Sequence, residues 1–456
     1  MLTVLSTLLS TNFTFAQVPP TTSPQPQEIV RPQQVLPLPG QLDRIPVFNS
    51  NSPELVVNEG ILLSTFPPEG KNNPAAHLNF PFQGQFDLFV HHVAKAPTPE
   101  DLRTLYLGVI LHNPTQQPVT IDILQAASYL SQPDAPFVEL PAQVEDPEGN
   151  IYAGPGSRVM GEILRDRPPA IFPSQIVIPA GESWMLVNLP IPVQELDPPL
   201  NGRSTYMRLR SNGKVYAASL AMFAPVDVTG NEREPSLKEW KTLLDRGILA
   251  TPRDRAPTPL GATGNVVYGR VAGVAQGSLW KARLKDIAAL DLKIPAPGVA
   301  VSYGLSTLPG GRLGTNQSQS AAMLVRYPDT AYQAHGNYGV QYSITLPLHN
   351  PTRETQTVAI SIETPIKQDQ LQEGLRFLDP PAQQVFFRGP VKVSYEDEQQ
   401  VYQTRYFHLV QKRGQQGETL VTITIPPNDW RLVQADFLYP PDATPPQVLT
   451  IQTLDE

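Results

Sequence analysis

The stretch Tyr342-Ser343-Ile344-Thr345-Leu346-Pro347-Leu348-His349-Asn350-Pro351-Thr352 carries the deciding pattern. Tyr342, Ile344, Leu346 and Leu348 alternate with Ser343, Thr345 and Pro347. Successive side chains of a strand point to opposite faces, so this period of two gathers the apolar residues on one side of a sheet. Asn350-Pro351 ends the run. Asparagine suits the first position of a turn, and proline presets the next φ. Beyond the turn Val358, Ile360 and Ile362 alternate again. The reading is strand, turn, strand, with Val358 and Ile360 on the buried face. Pro347 lacks an N–H and demands an edge or a bulge.

Leu348-His349-Asn350-Pro351-Thr352 has an identical copy 237 residues earlier, Leu111-His112-Asn113-Pro114-Thr115. The copy is followed by Ile121 and Ile123 in the same alternation. Other words return in the same order. Leu63-Ser64-Thr65 matches Leu305-Ser306-Thr307, and Ala76-His77-Leu78-Asn79 matches Ala334-His335-Gly336-Asn337. Pro141-Ala142-Gln143 matches Pro381-Ala382-Gln383, and Ile178-Pro179 before Trp184 matches Ile425-Pro426 before Trp430. Ordered self-similarity implies a duplicated unit. The expected fold is mainly β: two tandem duplicated β-sandwich modules, 36–225 and 262–456, with a helix and linker at 226–261. The one short connecting helix is read from a capping box, Ser236 with Glu239, ahead of an apolar stripe of Leu237, Trp240, Leu243 and Leu244, and Gly247 supplies its stop. Ser211-Asn212-Gly213-Lys214 reads as a hairpin turn.

Composition agrees with strands. The chain has 51 prolines in 456 residues, against an average of about 5 %, and proline breaks helix interiors. A net charge of −8 without a basic cluster excludes a nucleic-acid partner. The absence of cysteine removes disulfides, thiolate nucleophiles and cysteine-based metal sites. Residues 1–16 read as a signal peptide, apolar over 2–9 and ending in Thr14-Phe15-Ala16, although no Lys or Arg precedes the apolar run. Residues 17–35 are rich in Pro and Gln and read as a tether. No later stretch is long and apolar enough for a membrane-spanning helix.

Chemistry is sparse. Nucleophile-elbow, Walker, zincin and EF-hand patterns are absent. Adjacent His91 and His92 face opposite sides of a strand and do not share an ion easily. His112 and His349 flank the repeated turn, which favours a structural role. Glu145-Asp146-Pro147-Glu148 and Glu396-Asp397-Glu398 look like solvated hairpin tips, and the spacing singles out no glycosidase acid pair. Trp184 and Trp430 read as packing residues rather than sugar platforms. No catalytic residue, metal site or cofactor is assigned. The binding candidates are Arg312, Asn316, Arg326, Tyr327, His335 and Asn337 in the glycine-rich polar segment 302–342, with His77 and Asn79 in the earlier copy of the Ala-His-x-Asn word.

Several words carry a family likeness: Leu38-Pro39-Gly40-Gln41-Leu42-Asp43, Phe48-Asn49-Ser50-Asn51-Ser52-Pro53-Glu54-Leu55 and Gly60–Pro67, then Tyr268-Gly269-Arg270-Val271-Ala272-Gly273, then Arg326-Tyr327-Pro328-Asp329-Thr330-Ala331-Tyr332 with His335–Val340. At these words the chain resembles an uncharacterised family of exported cyanobacterial proteins, a domain of unknown function. The resemblance implies an envelope location and lends no activity. The function expected is a non-enzymatic periplasmic or outer-envelope protein that binds an envelope protein or glycan through its loops. The alternatives are a carbohydrate-active hydrolase with an unidentified acid pair, and a metal-dependent envelope protein using His77 or His335.

Overall fold

The computed structural model describes residues 25–455 apart from Ala170, Thr263 and Ala288. The expected signal peptide at 1–16 lies outside the described residues. Strand accounts for 46 % and helix for 5 %, so the protein is mainly β, built of open sheets.

The decisive stretch is strand Gln341–His349, antiparallel to Trp430–Leu438. Its other side is shared by two short parallel strands, Leu279–Arg283 against Gln341 to Thr345 and Leu292–Lys293 against Leu348 and His349. Pro347 falls in the gap between them, where no ladder bond needs its missing N–H. Gln356–Glu363 lies in a second sheet between Thr419–Ile425 and Gln447–Thr453. Val358 and Ile360 are fully buried, as is Ile121 in the other half, where Ile123 is buried as well.

The earlier half repeats this pairing. Leu105–His112 pairs with Ser183–Ile191, and Val119–Leu130 pairs with Gln175–Ile178. The two turns match bond for bond. The Asn113 carboxamide donates to the carbonyls of Gln117, Ile178 and Pro179 at 2.7, 3.0 and 3.1 Å. That of Asn350 donates to Glu354, Ile425 and Pro426 at 2.8, 2.9 and 3.1 Å. Each Oδ1 accepts from the N–H and hydroxyl of the threonine two residues on. An asparagine with all four bonding positions used ties a turn to a neighbouring loop.

Several expectations are corrected. Ser211 to Lys214 is no hairpin: Leu200–Phe223 is one strand, with an irregularity after Ser211 where it leaves one sheet for another. A type I′ hairpin needs positive φ at both central residues, and neither Asn212 nor Gly213 has it. Trp184 and Trp430 are 43 % and 54 % exposed and sit one register step apart, opposite Leu111 and His349 respectively. The capped helix Leu237–Arg246 forms as read and buries Trp240 and Leu244. A second helix, Ser157–Leu164, was not legible: Gly156 enters it at φ 77 with no side-chain cap. Asp146 is buried against Arg165 instead of solvated. Within the 17–35 segment, Gln27–Arg31 pairs with Leu375–Asp379. Strand addition runs on backbone bonds, so these exposed side chains need no apolar pattern.

Long-range pairing crosses the connector at 226–261. Gln34–Leu36 and Gln41–Leu42 add to sheets of the later half. Ala272–Gln276 and Ala321–Arg326 extend a sheet of the earlier half through Pro46–Ser50. Helix Ser157–Leu164 packs on Val119–Leu130 on one side and on Val385–Glu396 and Trp430–Leu438 on the other. Its Val159, Met160 and Ile163 join Phe89, Tyr206 and Leu438 in a shared core. The result is a seam between the halves, and cavities open along it.

Candidate functional site

The expected binding residues do not form one surface. Tyr327 is fully buried. Its hydroxyl accepts from the Ser64 N–H at 3.0 Å and donates to the Ala76 carbonyl at 2.8 Å. Arg326 folds back onto the carbonyls of Tyr327, Pro328 and Thr330 and lies over the Tyr332 ring. Arg312 pairs with Asp369 at 2.9 Å. Asn316 is exposed at a turn, with φ 58. Asn79 and Asn337 end their matching words at φ 51 and 50, the same left-handed conformation. Buried His77 meets the Ser64 hydroxyl at 2.8 Å, far in the chain from His335, which meets Ser320 at 2.9 Å. Burial lowers both imidazoles to about 4. Among the described residues no three His, Asp or Glu side chains converge to hold a metal ion.

His335 and Asn337 do meet at an inner pocket of about 150 Å³ on the seam. Its other wall is strand Pro46–Ser50 and the residue beyond it. That strand is gripped by Phe82–Lys95 on one side and Ala272–Gln276 on the other, and the Asn51 N–H donates to the Val271 carbonyl. Strand pairing on both sides of Asn49 and the backbone bond of Asn51 hold the two residues in place. They are 4 % and 2 % exposed, they line the pocket, and neither Oδ1 has a hydrogen-bond partner. A buried acceptor without a donor costs about 1–3 kcal/mol, so two together are an exception that needs a reason.

The remaining wall is cationic and aromatic. The Tyr268 hydroxyl donates to the Pro309 carbonyl at 2.6 Å, and the edge of its ring meets His335 with centroids 4.9 Å apart. The Lys367 ammonium sits 4.1 Å from the Tyr268 ring centroid and touches its hydroxyl. Burial lowers Lys367 to about 8. Arg270 forms the border. Its guanidinium binds the Glu54 carboxylate and lies 3.8 Å from Asp254.

Across that ion pair lies an outer cleft of about 570 Å³, lined by Glu54, His91, Gln132, Phe137, Asn201 and Asp442 among others. Burial raises the Glu54 carboxyl; Arg270 opposes this, and the charges of Asp254 and Asp442 add to it. Burial likewise raises Asp442, against the pull of Arg388 at 3.1 Å. His91, 2 % exposed, has Nδ1 at the Ser204 hydroxyl and Nε2 3.8 Å from Glu54, too far for a hydrogen bond. Phe137 stands 62 % exposed at the rim. An apolar cleft with a few convergent polar groups of shifted pKa is the common form of a small-molecule site.

Sequence reasoning missed Asn49, Asn51, Glu54, Arg270, Lys367 and Asp442. The first four stand in words that carry the family likeness, which was a usable signal. Lys367 and Asp442 had none. Residues 33–453 match the model of a family described as a protein of unknown function (DUF3370), which shows the family to which the chain belongs. The comparison with curated proteins gives no match.

Proposed function

We propose that this DUF3370 member is an exported, non-enzymatic envelope protein that binds a hydroxyl-rich ligand of the saccharide class in the seam. The observation that carries the reading is the pair of buried, unpartnered Oδ1 acceptors on Asn49 and Asn51, two residues that line the inner pocket. Sugar hydroxyls supply donors to such acceptors and take bonds back from Arg270 and Lys367, while the Tyr268 ring offers a stacking face. The inner volume equals that of about five waters, enough for one sugar ring.

Calorimetric titration with envelope-glycan oligosaccharides tests this on wild type, Asn49→Ala and Asn51→Ala. Each variant is expected to bind about tenfold more weakly. Its ligand-free melting temperature is expected to hold or rise, because an orphaned acceptor has been removed. Absence of saccharide binding by wild type, or variants that melt lower and bind as before, would overturn the proposal. Recovery of the chain with an intact Met1 from cytosol would overturn the location.

A hydrolase is the second reading, favoured by one observation: Glu54 and Asp442 share the outer cleft, and burial raises both. Release of reducing ends from the same oligosaccharides, abolished in Glu54→Gln, would favour it over simple binding.

The scaffold reading is a tandem duplication of sandwich modules at 36–225 and 262–456, supported by the matched bonds of Asn113 and Asn350. Asn113→Ala and Asn350→Ala are each expected to cost about 2–3 kcal/mol, equal within error, by urea denaturation. A large cost in one and none in the other would refute equivalence.

A further inference from the structure

A different face of the molecule is built for contact. Strand Leu279–Arg283 sets Lys281 and Arg283 on its exposed side, two residues apart, and Lys285 continues the row. Lys293 on the neighbouring strand Leu292–Lys293 is exposed as well. Between these cations the chain projects Ile287 and Leu290, which are 101 % and 81 % exposed. The loop is braced at its base. The Asp286 N–H donates to the Asp291 carbonyl at 2.9 Å, and the Asp286 carboxylate accepts from the Lys293 N–H at 3.2 Å. The Leu284 N–H donates to the Thr345 carbonyl at 2.9 Å. The second acid, Asp291, faces His349 at 2.9 Å. Both loop acids thus have local partners, and the four cations are exposed, with the Arg283 guanidinium donating to the Leu290 carbonyl at 3.4 Å.

Below the tip lies a groove of about 350 Å³ whose walls include Leu36, Leu292, Val301, Tyr303 and Ile451, with Lys285, Asp286 and Lys293 also on its lining. Apolar tip, apolar floor and basic rim form one continuous patch. Two large aliphatic side chains held in water on a braced loop gain nothing for the fold.

We propose that this patch docks the protein on an anionic lipid bilayer, with Ile287 and Leu290 entering the acyl boundary and Lys281, Arg283, Lys285 and Lys293 over the headgroups. Charge complementarity selects the occupant. Cations around a protruding aliphatic pair match an anionic headgroup layer over hydrocarbon, and the lysine stems extend along the apolar surface while their heads stay wet. A protein partner of the same shape would need its own acidic ring. The inference is independent of the saccharide reading, because the patch shares no residue with the seam.

Sedimentation with vesicles tests it on the full chain. Wild type is expected to pellet with vesicles of phosphatidylcholine and phosphatidylglycerol in equal parts, weakly with phosphatidylcholine alone, and less as salt rises. Ile287→Asp with Leu290→Asp should abolish pelleting. Lys281→Gln with Arg283→Gln and Lys285→Gln should weaken it about fivefold per cation removed and flatten the salt dependence. These positions are exposed, so the melting temperature should stay at the wild-type value, and that is measured alongside. Wild type that stays in the supernatant, or a folded tip variant that pellets as wild type does, overturns the proposal. Loss of a cross-link to an envelope protein in the tip variant, without vesicle binding by wild type, overturns it in favour of a protein partner.

Discussion

Lowering the pH from 6.5 toward 4 is expected to destabilise this protein steeply and to unfold it. The cause is a set of imidazoles buried neutral. His91, His92 and His408 are 2 %, 1 % and 1 % exposed, and burial lowers them to about 3, 4 and 4. The His92 Nδ1–H donates to the Pro53 carbonyl at 2.7 Å, which leaves Nε2 of the neutral ring to accept from the Ser50 hydroxyl at 2.8 Å. A base whose folded pKa lies below its unfolded value contributes stability in full above pH 6.5. That stability is lost as the pH falls toward the folded value, because only the unfolded chain takes up protons in that window. Each such histidine costs about 1.4 kcal/mol per pH unit, so three cost about 4 kcal/mol per unit around pH 5. His77 and His335, both lowered to about 4, add in the same direction. Asp87 opposes them. Burial raises it to about 6, so it protonates first in the folded state and gains stability as pH falls from 6 to 3.8. Glu54 and Asp442, which burial also raises, oppose them in the same way, and His112, which burial lowers, adds to the imidazoles. Three raised carboxyls against six lowered imidazoles leave a net loss as the pH falls, and typical stabilities are only about 5–15 kcal/mol. Circular dichroism from pH 7 to 4 reads the transition, and His408→Gln should move it to lower pH. Full strand signal at pH 4 would refute the account.

The histidines also show what was legible. His91 and His92 were expected on opposite faces of a strand, and they bond to Ser204 and to Ser50 on opposite sides. The two asparagine turns were legible because their chemistry is local: proline, asparagine and threonine within five residues dictate the bonds. Helix Leu237–Arg246 was legible for the same reason, through Ser236 and Glu239. The seam was not. Its pocket draws on Asn49, Tyr268, His335 and Lys367, brought together by strand pairing across more than half the chain, and backbone pairing leaves no mark on side-chain identity. Polar residues in 302–342 read as donors for a partner, yet Arg326 spends its donors on three carbonyls of its own loop. Composition cannot tell a donor facing outward from one turned in.

Tyr327 is the sharpest case. Its place in a polar, glycine-rich segment pointed to ligand contact, and the structure gives it a load inside the seam. Tyr327→Ala is expected to cost about 5 kcal/mol or more. Removing a buried aromatic ring costs about 3–5 kcal/mol through lost transfer energy and the cavity left behind. The Ser64 N–H and the Ala76 carbonyl lose their shared partner, at about 1–3 kcal/mol for each group left unsatisfied. Tyr327→Phe keeps the ring and removes only the hydroxyl, so it should lose about 2 kcal/mol, the hydrogen-bond part alone. The comparison separates packing from bonding. It also explains why a combined Arg312, Asn316 and Tyr327 variant would lose ligand capture for the wrong reason: the tyrosine would unfold the protein first. Arg312→Ala with Asn316→Ala leaves the core intact and tests the loop surface by itself. Urea denaturation followed by circular dichroism measures all three variants. A wild-type midpoint for Tyr327→Ala would mean that the ring holds nothing together, and the seam would have to be supported by helix Ser157–Leu164 and by the pairing of Pro46–Ser50 with Ala272–Gln276.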